Sequence, residues 1–153
     1  MEIKVLIVDD EPGMRLLLSK TVAKVQGFSV IGEAASGEEA LTLFNMARPE
    51  VVFMDVELAA MSGVECAEKI LEISPKTMII FATGHNEYMP RAFEIYAFDY
   101  RIKPFKIERI FQTLNRIKGI RVKGEEPKDE RNTRRLSSVD KLILSLFQHP
   151  DKL

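Results

Sequence analysis

The chain has no tryptophan, one cysteine and two histidines among its 153 residues. A single thiol, Cys66, excludes an internal disulfide and agrees with a reducing compartment. It falls in a helical pattern with Val64, Ala67, Ile70 and Leu71, the setting of a small buried hydrophobe. One cysteine and two distant histidines, His85 and His149, cannot supply the ligand set of an ordinary zinc site. No apolar run approaches the roughly 20 residues that cross a bilayer. Met1-Glu2 leads straight into a strand pattern, without the charged head and long apolar core of a signal peptide. A cytoplasmic protein with no membrane partner is expected. Charge of neither sign dominates: 22 Lys and Arg face 23 Asp and Glu, a formal net charge of −1. No global field draws such a chain to nucleic acid or to an anionic surface. What remains, 46% apolar and 29% charged residues, is the make-up of one soluble domain with a proper core and little chain left over.

The informative stretch is Val51-Val52-Phe53-Met54-Asp55, four apolar residues running without polar alternation into one carboxylate. Such a run suits a strand buried on both faces of a parallel sheet. Asp55 then stands at the strand's C-terminal end, where open α/β sheets place their chemistry. Ile3 to Val8 likewise delivers Asp9 and Asp10, and a fourth strand over 77–82 delivers Thr83. Around them the pattern predicts strands at 28–34 and 99–102 and helices at 12–26, 36–47, 63–73, 87–97 and 105–118. The first helix shows Met14, Leu17, Leu18, Thr21, Val22 and Val25 on one side; the second opens at Ser36 with Glu39 at the capping-box spacing. Strand and helix thus alternate five times with short connections, the mark of a doubly wound α/β sheet. From residue 119 to 137 the text becomes a charged linker with little to bury. Val139, Leu142, Ile143, Leu146 and Phe147 then form one face of a short amphipathic helix over 138–153, too short to stand alone in water.

Asp9, Asp10 and Asp55 are expected to converge, and carboxylates that close repel unless a cation neutralises them. An oxygen-only site with room for water suits Mg²⁺. Asp9 and Asp10 taken as a pair are equally compatible with the start of a helix, where acids are favoured. Thr83 and Lys103, arriving from two further strands, shift the balance. Phosphoryl transfer needs a nucleophile, a metal and fixed donors for the equatorial oxygens. Asp55 can form an acyl phosphate, Lys103 offers a compact cation and Thr83 a hydroxyl.

In order and spacing, Leu6-Ile7-Val8-Asp9-Asp10-Glu11-Pro12, Met54-Asp55 with Gly63 eight residues on, Ala82-Thr83-Gly84 and Asp99-Tyr100-Arg101-Ile102-Lys103-Pro104-Phe105 resemble the receiver domain of two-component response regulators, over residues 1 to 118. The resemblance implies a flavodoxin-like (βα)5 fold, a five-stranded parallel sheet in order 2-1-3-4-5 with helices on both faces. It implies that Asp55 takes a phosphoryl group from a sensor histidine kinase. Asp10, Asp55 and the backbone carbonyl of Glu57 would hold Mg²⁺, with Asp9 acting through water. Lys103 and Thr83 would bind the phosphoryl oxygens, Tyr100 would be the aromatic switch that turns inward as Thr83 moves, and the bond before Pro104 would be cis. Leu58-Ala59 departs from the family, which often has a proline after the leucine.

Tyr88, Met89, Phe93, Ile95, Tyr96 and Phe98 crowd within eleven residues. Part of that crowd is core; Tyr88, Phe93 and Tyr96 are candidates for an interface, and a homodimer through the 87–118 face is expected on phosphorylation. His85-Asn86-Glu87-Tyr88, Arg91-Ala92-Phe93-Glu94 and the Asp99-Tyr100 run most resemble receivers that carry a LytTR-type DNA-binding domain. On that reading DNA is reached only through an output domain absent from this chain, which regulates transcription; the alternative is a stand-alone receiver acting by protein contact. An aspartyl-phosphate phosphatase fits less well, because the second aspartate such enzymes place two residues after the nucleophile is Glu57 here. A nucleotide-binding module fits poorly too, since Asp9-Asp10-Glu11 would repel phosphate at the first loop.

Overall fold

The computed structural model describes residues 2–122. The strands are β1 Ile3–Val8, β2 Phe28–Ala34, β3 Val51–Met54, β4 Met78–Thr83 and β5 Asp99–Ile102; the helices are α1 Pro12–Ala23, α2 Gly37–Ala47, α3 Gly63–Ile73, α4 Met89–Glu94 and α5 Ile107–Val122. All strand pairs are parallel, in the order β2-β1-β3-β4-β5, as expected. The first four residues of the expected 119–137 linker belong to α5; the rest of it and the short amphipathic helix expected over 138–153 lie outside the described residues.

Side chains of the central strands alternate between two cores. Val5, Ile7, Val51, Phe53, Met78 and Ile80 pack on α1 and α5 through Leu18, Val22, Ile110, Leu114 and Ile117. Leu6, Val8, Val52, Met54, Ile79 and Phe81 pack on α2, α3 and α4 through Phe44, Ala67, Ile70 and Ala92. This is why β3 carries no polar residue until its end. Every one of its residues is covered from both sides, and the first position free of that demand is Asp55.

Caps fix two helix starts. Ser36 Oγ accepts from the Glu39 N–H at 3.2 Å, while Glu39 Oε2 accepts from the Ala35 N–H at 3.2 Å, so the reciprocal bond of the expected capping box falls one residue before the cap. Ser62 Oγ accepts from the Glu65 N–H at 3.1 Å and sets the first turn of α3.

Three helices differ from the sequence reading. Helix α1 ends at Ala23 rather than Gln26, because Lys24 and Val25 donate to Thr21 and Val22, three residues back, and so tighten the chain into the Gly27 turn at φ 97. Leu17, assigned to its inner stripe, is 40% exposed; Leu18, Thr21 and Val22 fill the space against the sheet and α5, and Leu17 lies about 100° away from Leu18 around the helix. Helix α4 is six residues, not eleven: Met89 begins it by a turn onto Asn86, and Tyr96 ends it in the left-handed region at φ 61. Helix α5 starts at Ile107 and runs through Gly119 to Val122. Its last turn is held by Lys118 Nζ, which donates to the Gln26 carbonyl at 2.8 Å, and by an ion pair of Arg121 with Glu50.

Gly63 explains how α3 approaches the end of β3. Its N–H donates to the Val56 carbonyl at 2.7 Å, and a Cβ built on it would lie 1.9 Å from the carbonyl oxygen of Asp55. Only a residue without a side chain lets the helix start there. Gly63→Ala is expected to destabilise the domain by about 1–3 kcal/mol, read as a lower midpoint of urea unfolding. An unchanged midpoint would contradict that close approach.

Candidate functional site

The parallel register gathers the expected residues at the C-terminal edge of the sheet. Val8 pairs with Met54, and Met54 with Phe81. Asp9 and Asp55 therefore leave adjacent strands side by side, with the Asp55 N–H donating to the Val8 carbonyl at 2.9 Å. Thr83 ends the next strand, and its carbonyl accepts from the Lys103 N–H at 2.7 Å, which draws the residue after β5 into the same edge. The Lys103-Pro104 bond is cis.

One ligand oxygen each from Asp9, Asp10, Glu11 and Asp55 lies within 4.8 Å of the others. Lys103 Nζ sits among them, 2.8 Å from Asp9 Oδ2, 3.2 Å from Asp55 Oδ2 and 3.4 Å from Glu11 Oε1. Burial works against the ammonium, but the hydrogen bond to Asp9 and the charges of Asp55 and Asp9 outweigh it and hold the Lys103 pKa above the usual lysine value. Burial pushes the Asp9 carboxyl upward, against the lowering by Lys103 and by the Glu11 N–H, which donates to Asp9 Oδ1 at 2.9 Å. Asp9 is sealed from water and Asp10 is exposed. Asp55 is 6% exposed, and its Oδ1 accepts from the Glu57 N–H at 3.2 Å.

Thr83 is fully buried, and its hydroxyl has no hydrogen-bond partner among the described residues. A buried hydroxyl left unpaired is costly, so such groups cluster where a ligand completes them. Tyr100 is half-buried, its ring 5.9 Å from that of Phe81, and its hydroxyl donates to the carbonyl of His85, two residues past Thr83. Burial raises the Tyr100 pKa, with smaller contributions from Glu87 and Asp55. His85 lies between Glu57 and Glu87, with Nε2 3.0 Å from Glu57 Oε2 and Nδ1 3.3 Å from Glu87 Oε1.

A profile of the response regulator receiver domain matches residues 5–115. The chain belongs to the receiver family. It is 43% identical over 115 residues to the sensory transduction protein LytR of Staphylococcus haemolyticus, covering 75% of this chain and 45% of that protein. To LytT of Bacillus cereus it is 38% identical over 128 residues, covering 84% of this chain and 52% of the other. The chain thus spans about half the length of the curated relatives it matches, and their names agree with the LytTR-type resemblance. Among solved structures, the receiver of AraT from Geobacillus stearothermophilus superposes with a TM-score of 0.74 at 29% identity, covering 81% of this chain and 98% of that one. The response regulatory domain of mrkE from Klebsiella pneumoniae gives 0.74 at 28% identity, covering 78% and 98%.

The receiver's edge therefore gathers Asp9, Asp10, Asp55, Thr83, Lys103 and Tyr100. The interface candidates stand apart. Tyr88, Phe93 and Tyr96 are each half-buried, and Tyr88 packs on the core, so the aromatic crowd is less open than its sequence suggests. Of the large exposed apolar residues, only Ile102 (37%) belongs to the stretch 87–118. Two residues near the acids had no role in the sequence reading: Glu11, whose proximity to Asp10 was its only signal, and Arg15, for which the sequence carried none.

The donor set is all oxygen, anionic and half open to water, which fits a hard divalent cation. Among the described residues no helix is long and apolar enough to cross a membrane. Crowded carboxylates oppose folding when no cation is bound. Asp10→Asn is therefore expected to raise the thermal midpoint by a few degrees in chelator, and to lose most of the further rise that Mg²⁺ gives the wild type. Scanning calorimetry with and without Mg²⁺ measures both, and a lower midpoint in chelator would overturn the assignment of repulsion.

Proposed function

We propose that this receiver is the phospho-acceptor of a two-component system, modified on Asp55 by a phosphohistidine of a sensor histidine kinase in a Mg²⁺-dependent reaction. The observation that carries the reading is the pairing of one near-buried carboxylate with a lysine 3.2 Å away and an unpartnered, fully buried hydroxyl at the end of the next strand. A nucleophile, a cation and a free donor are the parts phosphoryl transfer requires.

Asp10, Asp55 and the backbone carbonyl of Glu57 would hold the metal, with Asp9 contributing through water. When bound, Mg²⁺ would neutralise charge on the phosphoryl oxygens. Asp55 attacks phosphorus, and its new O–P bond forms as the P–N bond to the kinase histidine breaks. Lys103, already shared between Asp9 and Asp55, turns to the incoming oxygens, which add about two negative charges to an anionic pocket. The Thr83 hydroxyl gains the partner it lacks. Because the Tyr100 hydroxyl is tied to the His85 carbonyl, a shift of Thr83 and the loop after it is passed to Tyr100 and to the α4–β5 face. This is regulation rather than turnover: the domain catalyses only its own phosphorylation and dephosphorylation.

The altered face, with Tyr88, Phe93 and Tyr96 beside α5, is assigned to a homodimer. Residues beyond 122 are assigned to the charged connector and to the amphipathic helix over 138–153, leading to a DNA-binding output domain. The relatives' naming as LytR and LytT regulators supports transcription control, and a cytoplasmic site of action follows from that role.

Incubation with acetyl phosphate and Mg²⁺ is expected to add one phosphoryl group to the intact mass of the wild type and none to Asp55→Asn. Equal labelling of both would remove the reading. Beryllofluoride with Mg²⁺ is expected to raise the sedimentation coefficient from that of a monomer to that of a dimer, and an unchanged value would reject the dimer face.

A further inference from the structure

Arg15 has no part in the reaction just described, yet it is one of the most closely held cations near the acids. Its side chain is 21% exposed. Nη1 donates to the backbone carbonyl of Asp9 at 2.7 Å, and Nε lies 3.6 Å from Glu33 Oε1 on β2. The guanidinium thus ties the first turn of α1 to the end of β1 and to the neighbouring strand.

The Asp9 carbonyl belongs to the peptide that joins Asp9 to Asp10. Asp9 itself is fixed on every side: its N–H donates to the Ala34 carbonyl at 3.0 Å, Oδ1 accepts from the Glu11 N–H and Oδ2 from Lys103. Asp10 differs. Its carboxylate is exposed and makes no hydrogen bond or ion pair with the described residues. Its direction is therefore set by the backbone that carries it, and a planar peptide leaves that backbone little freedom once its carbonyl is pinned.

We infer that Arg15, braced by Glu33, is a positioning residue that orients the Asp9–Asp10 peptide so that the Asp10 carboxylate meets a divalent cation beside Asp55. The inference rests on the Mg²⁺ reading above and concerns this chain's own residues. A fork of donors is needed because one group reaches both the Asp9 carbonyl and Glu33; a lysine ammonium is a single point and would serve one partner at a time. Groups that orient ligands from behind typically alter metal affinity by about tenfold or more when removed.

The sign of the effect separates positioning from simple charge. A cation near the site repels Mg²⁺, so removing Arg15 would tighten binding if its field were what mattered. If it orients Asp10, removing it weakens binding. The test is a Mg²⁺ titration of the full chain followed by amide chemical shifts, on wild type, Arg15→Met, Arg15→Lys and Glu33→Gln. The half-saturating Mg²⁺ concentration is expected to rise about tenfold in Arg15→Met, with Arg15→Lys and Glu33→Gln between it and the wild type. An unchanged or lower value in Arg15→Met overturns the inference, and so does a fall in thermal midpoint with no change in half-saturation. Should Arg15→Met not fold, Arg15→Lys decides by the same criterion. No saturable shift in the wild type would sink the Mg²⁺ reading itself and the inference with it.

Discussion

Four carboxylates held within 4.8 Å of one another set the problem that the rest of this domain answers. Two unit charges about 4 Å apart near a protein surface interact by roughly 4 kcal/mol, so the group cannot persist without opposing charge. Lys103 supplies the standing compensation, and it arrives from the end of the edge strand β5, with β3 and β4 between it and β1. That reach explains why the sheet must be built as it is. A parallel arrangement brings the C-terminal ends of β1, β3, β4 and β5 to one edge, and burial of β1, β3 and β4 on both faces holds the central ends in fixed register. The pocket is thus under-neutralised: one lysine faces four acids, and on the proposed reading a divalent cation would complete the balance and offset the charge that a phosphoryl group adds.

The surroundings of the pocket are unequal in stiffness, and the inequality bears on signalling. On the β5 side, Asp99 Oδ2 accepts from the Thr113 hydroxyl at 2.6 Å and pairs with Arg101 at 3.1 Å, fastening the strand to α5. Arg116 adds a contact with Asp99 at 3.6 Å and lies over the Phe98 ring. Helix α4 has far less to hold it: six residues, Ala92 its one buried side chain, and a terminus at Tyr96 in the left-handed region, which costs a bulky residue about 1–3 kcal/mol. Its tie to α3 is the ion pair of Arg91 with Glu68, half-exposed and so worth little. Segments with few buried contacts open first. On the proposed reading, a displacement begun at Thr83 finds its outlet in the loop after β4, in α4 and in the Tyr100 side chain tied to that loop, rather than in the backbone of β5 or in α5.

Legibility in the sequence followed the same division. The three central strands β1, β3 and β4 were readable because burial on both faces enforces apolar runs, and α2 and α3 because their starts are written in local chemistry: Ser36 with Glu39, and Gly63 after Ser62. Asp9, Asp55 and Thr83 were readable because each directly follows or ends such a run, Asp10 because it stands next to Asp9, and Lys103 from the strand-ending Lys103-Pro104. The end of α4 was not, since no glycine or asparagine marks Tyr96 as the residue that turns left-handed. Gly119 looked like a stop, but the turn around it is sustained by contacts of Lys118 and Arg121 with residues far away in the chain. Arg15 was invisible for a related reason. Its partner is a backbone carbonyl, and no residue type advertises that.

Backbone contacts are the link between the stiff half of the site and its chemistry. Gly63 lets α3 press against the Asp55 carbonyl, Arg15 grips the Asp9 carbonyl, and the Asp9 and Asp55 amides are both spent on neighbouring strands. The acids of β1 and β3 are thereby fixed through their main chain, and their carboxylates are held in turn by Lys103 and by the Glu11 and Glu57 N–H groups. Thr83 presents the opposite case: its carbonyl is engaged by the Lys103 amide, while its side-chain oxygen is buried and unpaired. A site fixed by backbone on the acceptor side and unsatisfied by side chain on the responding side will answer an added anion by moving the responding side. On the proposed reading, the direction of the switch, from Asp55 toward Thr83 and Tyr100 rather than back into β1, follows from that difference in how the two halves are held.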